Sequence, residues 1–247
     1  IQFTPDLMPS DVLGTTVFNM KTNGFDFHQG PIFADIVLVD EINRAPAKTQ
    51  AALFEVMEER QVSIDGTTHR MGELYTILAT QNPVEQEGTY KLPEAQLDRF
   101  LMKITMDYPS LEEEVNILER HHTNAALVKL EDVTPVLTRE ELLSLRALMS
   151  RVFVDRTLLQ YIALIVQQTR TSKAVYLGAS PRASVAMLQS SKAYALLQGR
   201  DFVTPEDIKF VAPYVLHRLI LTAEAEMEGY SPVKVTQRLI DKVEVPK

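Results

Sequence analysis

Ala34-Asp35-Ile36-Val37-Leu38-Val39-Asp40-Glu41 decides how this chain reads: four large aliphatics in a row, then two carboxylates, then Asn43-Arg44-Ala45-Pro46 opening a helix. An uninterrupted Ile-Val-Leu-Val run predicts a strand buried on both faces, as in a parallel sheet covered by helices. In such sheets ligands sit beyond the carboxyl ends of the strands, so Asp40 and Glu41 are placed to meet one. Asp40 can hold Mg2+ through water while Glu41 orients or deprotonates an attacking water, the division of labour in a phosphate-hydrolysing site. The same residues also read as a strand ending in two solvated acids, and the rest of the chain has to choose.

Tyr75 to Thr80 is a second aliphatic strand, and it runs straight into Gln81-Asn82-Pro83. Asn82 closes this strand as Asp40 closes the first. Two strands ending on one edge in Asp-Glu and Asn let an amide reach the phosphate or water that the acids address. Taken alone, Asn-Pro is a common turn starter.

Two arginines extend the set. Leu92-Pro93-Glu94-Ala95-Gln96-Leu97-Asp98-Arg99-Phe100 reads as a short helix ending in Arg99. Arg99 is either a surface cation paired to Asp98 or Glu94 or a rigid five-donor group offered to a phosphate of a neighbouring subunit, and spacing does not choose. Arg182 stands at the second helical position after Ser180-Pro181, facing the positive end of the helix dipole. An anion relieves that arrangement: a bound phosphate, or a carboxylate such as Asp155 or Glu206.

Composition bounds the rest. With 45% apolar and 23% charged residues over 247 positions, the chain has the make-up of a folded protein of one large or two medium domains. A net charge of −8 argues against a broad nucleic-acid or anionic-membrane surface. The absence of cysteine removes disulfides, thiol nucleophiles and thiolate metal sites and fits a reducing compartment. No stretch has the length of a bilayer span and no signal-peptide pattern is present, so a cytoplasmic setting is expected. The chain opens at Ile1 without an initiator Met, which reads as a start inside something longer. His121-His122 is a solvated helix end, since adjacent helical residues point about 100° apart and do not readily share a metal.

The pattern mixes strands and helices up to about residue 110 and is helical from 111 to 247, with the boundary near Tyr108-Pro109-Ser110. Strands are expected over Ile1 to Thr4, Ile36 to Val39 and Tyr75 to Thr80. Turn signals at Asn23-Gly24 and Asp65-Gly66 predict two hairpins. Thr49 to Arg60 is a helix with Leu53, Val56 and Met57 at i, i+3 and i+4, and Pro46 suits its first turn. Beyond the boundary the expected helices are Leu111 to His121, Arg139 to Arg151, Thr157 to Thr169, Pro181 to Leu197, Pro205 to Val211 and Tyr214 to Glu228. Ser180-Pro181 and Thr204-Pro205-Glu206-Asp207 are explicit helix starts. Ser231 to Lys247 reads as a polar extended tail or a small late strand.

A phosphate-cradling loop is missing. None of the nine glycines forms the five-apart pair of Gly-x-x-x-x-Gly-Lys-[Ser/Thr], so phosphate binding by these residues alone is expected to be weak. Either the cradle lies upstream of Ile1 or the chain is not a nucleotide enzyme.

In this order the motifs resemble the MoxR family of AAA+ ATPases. The likeness runs through Phe3-Thr4-Pro5-Asp6-Leu7-Met8-Pro9-Ser10-Asp11-Val12-Leu13-Gly14, Asp40-Glu41-Ile42-Asn43-Arg44-Ala45, Met57-Glu58-Glu59-Arg60-Gln61-Val62, Ala79-Thr80-Gln81-Asn82-Pro83, Gln86-Glu87-Gly88-Thr89-Tyr90 and Leu92 to Phe100. Gly178-Ala179-Ser180-Pro181-Arg182-Ala183 anchors it in the helical half. The resemblance implies an α/β core with a P-loop-type parallel sheet over residues 1–110, a helical lid over 111–247, ATP and Mg2+ between them, and a homo-oligomeric ring, usually hexameric. By position, Asp40 looks like the Walker B magnesium acid, Glu41 the catalytic glutamate, Asn82 the sensor-1 residue, Arg99 the arginine finger and Arg182 the sensor-2 arginine. The hairpins at Asn23-Gly24 and Asp65-Gly66 look like the helix-2 insert and the pre-sensor-1 hairpin. Members act as chaperone-like ATPases on protein clients, often beside proteins with von Willebrand factor A domains, in maturing or inserting metal cofactors. The departure is the absent Walker A segment, which puts nucleotide binding by this stretch in question. Two other classes compete: a non-catalytic ring scaffold, and a nucleic-acid motor, against which the acidic balance counts.

Overall fold

The computed structural model describes residues 1–82, 90, 92–122, 131 and 133–246. The chain separates into two compact units, Ile1–Leu101 and Met102–Lys247.

The first unit begins with α1 (Pro9–Leu13) and the antiparallel hairpin β1 (Gly14–Asn19) and β2 (Gly24–Gln29). Asn23 closes that hairpin in the left-handed region at φ 52°, where asparagine is tolerated better than most side chains. Next come β3 (Ile36–Val39), a 3-10 turn over Ile42–Arg44, and α2 (Ala47–Glu59). Pro46 is the N-cap position of α2, one place before the first turn expected for it. The second hairpin, β4 (Gln61–Ile64) with β5 (Thr67–Arg70), turns through Asp65 and Gly66 at φ 48° and 79°. Positive φ at both central positions is the type I′ geometry that Asp-Gly favours. β6 (Thr76–Ala79) pairs in parallel with β3, Ile36 against Thr76 through Val39 against Ala79, and α3 (Glu94–Leu97) follows.

Two strand expectations change. The strand expected over Ile1 to Thr4 is a single parallel bridge of Gln2 with Asp40, held by Phe3 N–H on Asp40 O at 2.9 Å and Asp40 N–H on Ile1 O at 2.8 Å. β3 is buried on one face only. Val37 and Val39 point into a core with Phe3, Ile42, Leu53, Phe54 and Val56, whereas Ile36 and Leu38 are 63% and 54% exposed. Their alternation is the period of a pleated strand, and among the described residues the outer face has no cover.

The second unit is helical: α4 (Leu111–His122), α5 (Arg139–Leu148), α6 (Arg156–Thr171), β7 (Val175–Leu177), α7 (Pro181–Leu197), α8 (Pro205–Val215), β8 (Ile220–Leu221), α9 (Ala223–Met227) and α10 (Pro232–Lys242). Ser180 and Thr204 cap α7 and α8 as their sequences predict, Thr204 in a reciprocal box with Asp207. The helix expected over Tyr214 to Glu228 is broken up. α8 runs through Pro213 to Val215, and the aliphatic Ile220–Leu221 pairs with β7 instead of continuing a helix. The polar tail is a helix too: Ser231 caps α10, which buries Val235, Thr236, Leu239 and Ile240. Its apolar residues recur at helical spacing between charged ones, so the stretch is short of apolar residues by composition but amphipathic by period.

Candidate functional site at the carboxyl edge of the parallel strands

Asp40 and Glu41 leave the end of β3 through a strained turn. Glu41 lies in the left-handed region at φ 55°, ψ 51°, a position that costs a non-glycine residue on the order of 1 kcal/mol and persists where neighbours hold it. The turn is held from below by Gln50, buried on α2, whose amide donates to the carbonyls of Ile42 and Ala45 at 3.2 and 3.0 Å. It is held from the side by Thr80, the first residue after β6. The Thr80 hydroxyl donates to Asp40 Oδ1 and accepts from Glu41 N–H at 2.9 Å.

The carboxylates are half-buried and only half used. Asp40 meets Thr80 through Oδ1, and among the described residues Oδ2 has no side-chain or backbone partner. Glu41 Oε2 accepts from Gln2 Nε2 at 2.7 Å and lies 3.3 Å from Arg44 Nε, which leaves Oε1 open in the same sense. Two acids one residue apart thus present one unclaimed oxygen each at the sheet edge.

Asn82 follows Thr80 by two residues, and its backbone carbonyl is held by the turn after β3. Asn43, 5% exposed, donates from Nδ2 to Asn82 O at 3.2 Å, tying the strand after β6 to the turn after β3. Tyr90 N–H donates to Asn43 O at 2.6 Å. Pro83 and Gln86-Glu87-Gly88-Thr89 lie outside the described residues. Arg99 follows α3 and turns back to α2, where its guanidinium pairs with Glu58 and donates to Phe54 O at 3.3 Å. Arg182 sits in the second unit as the second residue of α7, its own N–H on the Ser180 hydroxyl at 3.2 Å, and is exposed.

Gln2 and Thr80 are the residues that sequence reading missed. Thr80 stands one place before Gln81-Asn82, so the strand-end position marked it, but its role depends on the register that sets β6 beside β3. Gln2 needs the bridge to Asp40, which no local pattern announces. A separate cavity of about 300 Å³ opens at the opposite, amino end of β3 between Phe33, Asp35, Arg70 and Met71, away from the acids.

The donor set suits a hard cation. Among the described residues no three histidines, aspartates or glutamates cluster, so there is no all-protein cage. Asp40 Oδ2 and Glu41 Oε1 are donors of the kind Mg2+ takes, since it keeps most of its waters and binds one or two carboxylates plus substrate phosphates.

Comparison with known proteins supplies the family. Residues 1–102 match the model of the ATPase family associated with various cellular activities (AAA), and residues 167–241 match the AAA lid domain. A Bacillus subtilis protein named YeaC is 47% identical over all of this chain and 76% of its own length. Chaperone MoxR1 of Mycobacterium tuberculosis is 44% identical over all of this chain and 67% of its own. A crystal structure from Cytophaga hutchinsonii, described as a candidate ATPase, superposes with a TM-score of 0.89 at 40% identity, covering 100% of this chain and 77% of that one.

Proposed function

We propose that this chain, which belongs to the MoxR family of AAA+ ATPases, hydrolyses ATP at the carboxyl edge of β3 and β6 and uses the turnover to remodel a protein client. The observation that carries this reading is the pair of open oxygens, Asp40 Oδ2 and Glu41 Oε1, on a turn that Asn43 ties to the Asn82 carbonyl. Bound MgATP supplies the phosphoanhydride to be broken and a cation that neutralises its charge. Asp40 would hold Mg2+ through water, Glu41 would accept a proton from the attacking water, and Asn82 would direct that water with its amide. Gln2 and Arg44 both hold Glu41 Oε2, which fixes the direction of the carboxylate before substrate arrives.

Arg99 completes the site of a neighbouring subunit in a ring, which we take as hexameric. Its pairing with Glu58 preorganises the guanidinium in one orientation. Arg182 joins the phosphate-binding set by its motif and its place at a helix start. Residues 1–110 act as the core and 111–247 as the lid. The expected co-chaperone carries a von Willebrand factor A domain, the client is a protein maturing with its metal cofactor, and the cysteine-free composition fits the cytoplasm. No described helix is long and apolar enough to cross a membrane.

Steady-state turnover and nucleotide binding, measured together on the full-length protein, test this. Glu41→Gln lowers ATP turnover at least about a hundredfold while ATP affinity stays within about threefold. A Glu41→Gln protein that turns over like the wild type overturns the assignment.

A further inference from the structure

Thr80 touches four consecutive residues of the acid turn. Its backbone N–H donates to Val39 O at 2.9 Å and its carbonyl accepts from Ile42 N–H at 3.0 Å. Between those two, its hydroxyl donates to Asp40 Oδ1 and accepts from Glu41 N–H at 2.9 Å. The polarity of this hydroxyl is fixed: a carboxylate only accepts and an amide N–H only donates, so the single proton lies toward Asp40. One oxygen therefore sets the rotation of the Asp40 carboxylate, turning Oδ2 outward, and at the same time anchors the left-handed backbone of Glu41.

We infer that Thr80 is a positioning residue for both acids, one that sets the metal-facing direction of Asp40 and the reach of Glu41 through a single hydroxyl; this rests on the hydrolytic reading above. Outer partners that orient a metal-facing carboxylate typically change metal affinity or activity by about 10- to 100-fold when removed. Thr80 is exposed, so water can answer the partners of a lost hydroxyl. What water does not reproduce is the fixed angle.

The experiment is a Thr80→Val and Thr80→Ser pair in the full-length protein, with Thr80→Ala measured in place of valine should the branched methyl not be accommodated. Three quantities are read: kcat and KM for MgATP, the metal concentration for half-maximal turnover, and Mn2+ affinity by electron paramagnetic resonance with a non-hydrolysable ATP analogue. Thr80→Val lowers kcat about 10- to 100-fold and weakens Mn2+ about tenfold, with KM for ATP moving less than about threefold, and Thr80→Ser restores all three. Wild-type kcat and Mn2+ affinity in the hydroxyl-free variant overturn the inference, as does a loss that serine fails to rescue. Glu41→Gln, run alongside, keeps the outcomes separate. Turnover surviving there defeats the hydrolytic reading itself, whereas a dead Glu41→Gln beside an unaffected Thr80→Val defeats only the role of Thr80.

Discussion

Each unit of this molecule ties a threonine hydroxyl to an aspartate, and the two ties differ in what they leave over. In the second unit Asp207 is 1% exposed and saturated: Arg200 reaches Oδ1 and Oδ2 at 2.6 and 2.8 Å, and Thr204 adds its N–H at 2.8 Å and its hydroxyl at 3.1 Å to Oδ2. In the first unit Asp40 and Glu41 are half-buried, and each keeps one oxygen without a partner among the described residues. A carboxylate whose lone pairs are all answered by its own chain is a structural fixture. One held by a single oxygen still has lone pairs to offer.

Mutations should separate the two carboxylate types in opposite directions. The largest effect belongs to the acid edge: Asp40→Asn cuts ATP turnover at least about a hundredfold and leaves the melting temperature nearly unchanged, as steady-state kinetics and calorimetry check together. Arg99→Ala gives a comparable loss alone. If its guanidinium serves a neighbour, mixing Arg99→Ala with Glu41→Gln subunits restores part of the turnover, because a ring then contains sites with both groups intact; no recovery removes the trans role.

Asp207→Asn behaves the other way. Turnover per folded molecule stays near wild type, while denaturant unfolding shows a loss of about 2 kcal/mol, since Arg200 is left facing an amide. The pH dependence has a defined sign. Burial pushes the Asp207 carboxyl up, but Arg200 and the two donors of Thr204 outweigh it and hold the group below its usual range. A depressed folded value means the stabilisation is complete above the unfolded carboxylate pKa of about 3.9 and is lost as pH falls through the lower folded one. Asp207→Asn therefore narrows its gap to wild type in strongly acid buffer, and a gap independent of pH contradicts the ion pair. The smallest expected effect is at the cap of α10, where Ser231→Ala costs about 1 kcal/mol.

Where local chemistry sets geometry, the sequence was readable. Asp-Gly and Asn-Gly marked both hairpins because their turns need positive φ, and Thr204 and Ser180 marked helix starts because orphan N–H groups need an oxygen. The aliphatic strand ending in Asp40-Glu41 located the candidate site for the same reason. What escaped depended on partners far along the chain. Thr80 acquires its role only when β6 lies beside β3, and Gln2 only through its bridge to Asp40. Ile220–Leu221 leaves the helical pattern because β7 offers it a pairing edge. The exposed Ile36 and Leu38 show that an apolar run states a preference for burial without saying what covers it.

A crystal structure of the full-length protein with Mg2+ and a non-hydrolysable ATP analogue tests the central claim most directly. Asp40 Oδ2 is predicted about 3 Å from a metal-bound water, with Glu41 Oε1 at a similar distance from a water aligned with the terminal phosphate. Nucleotide bound elsewhere, or metal held without either oxygen, contradicts it.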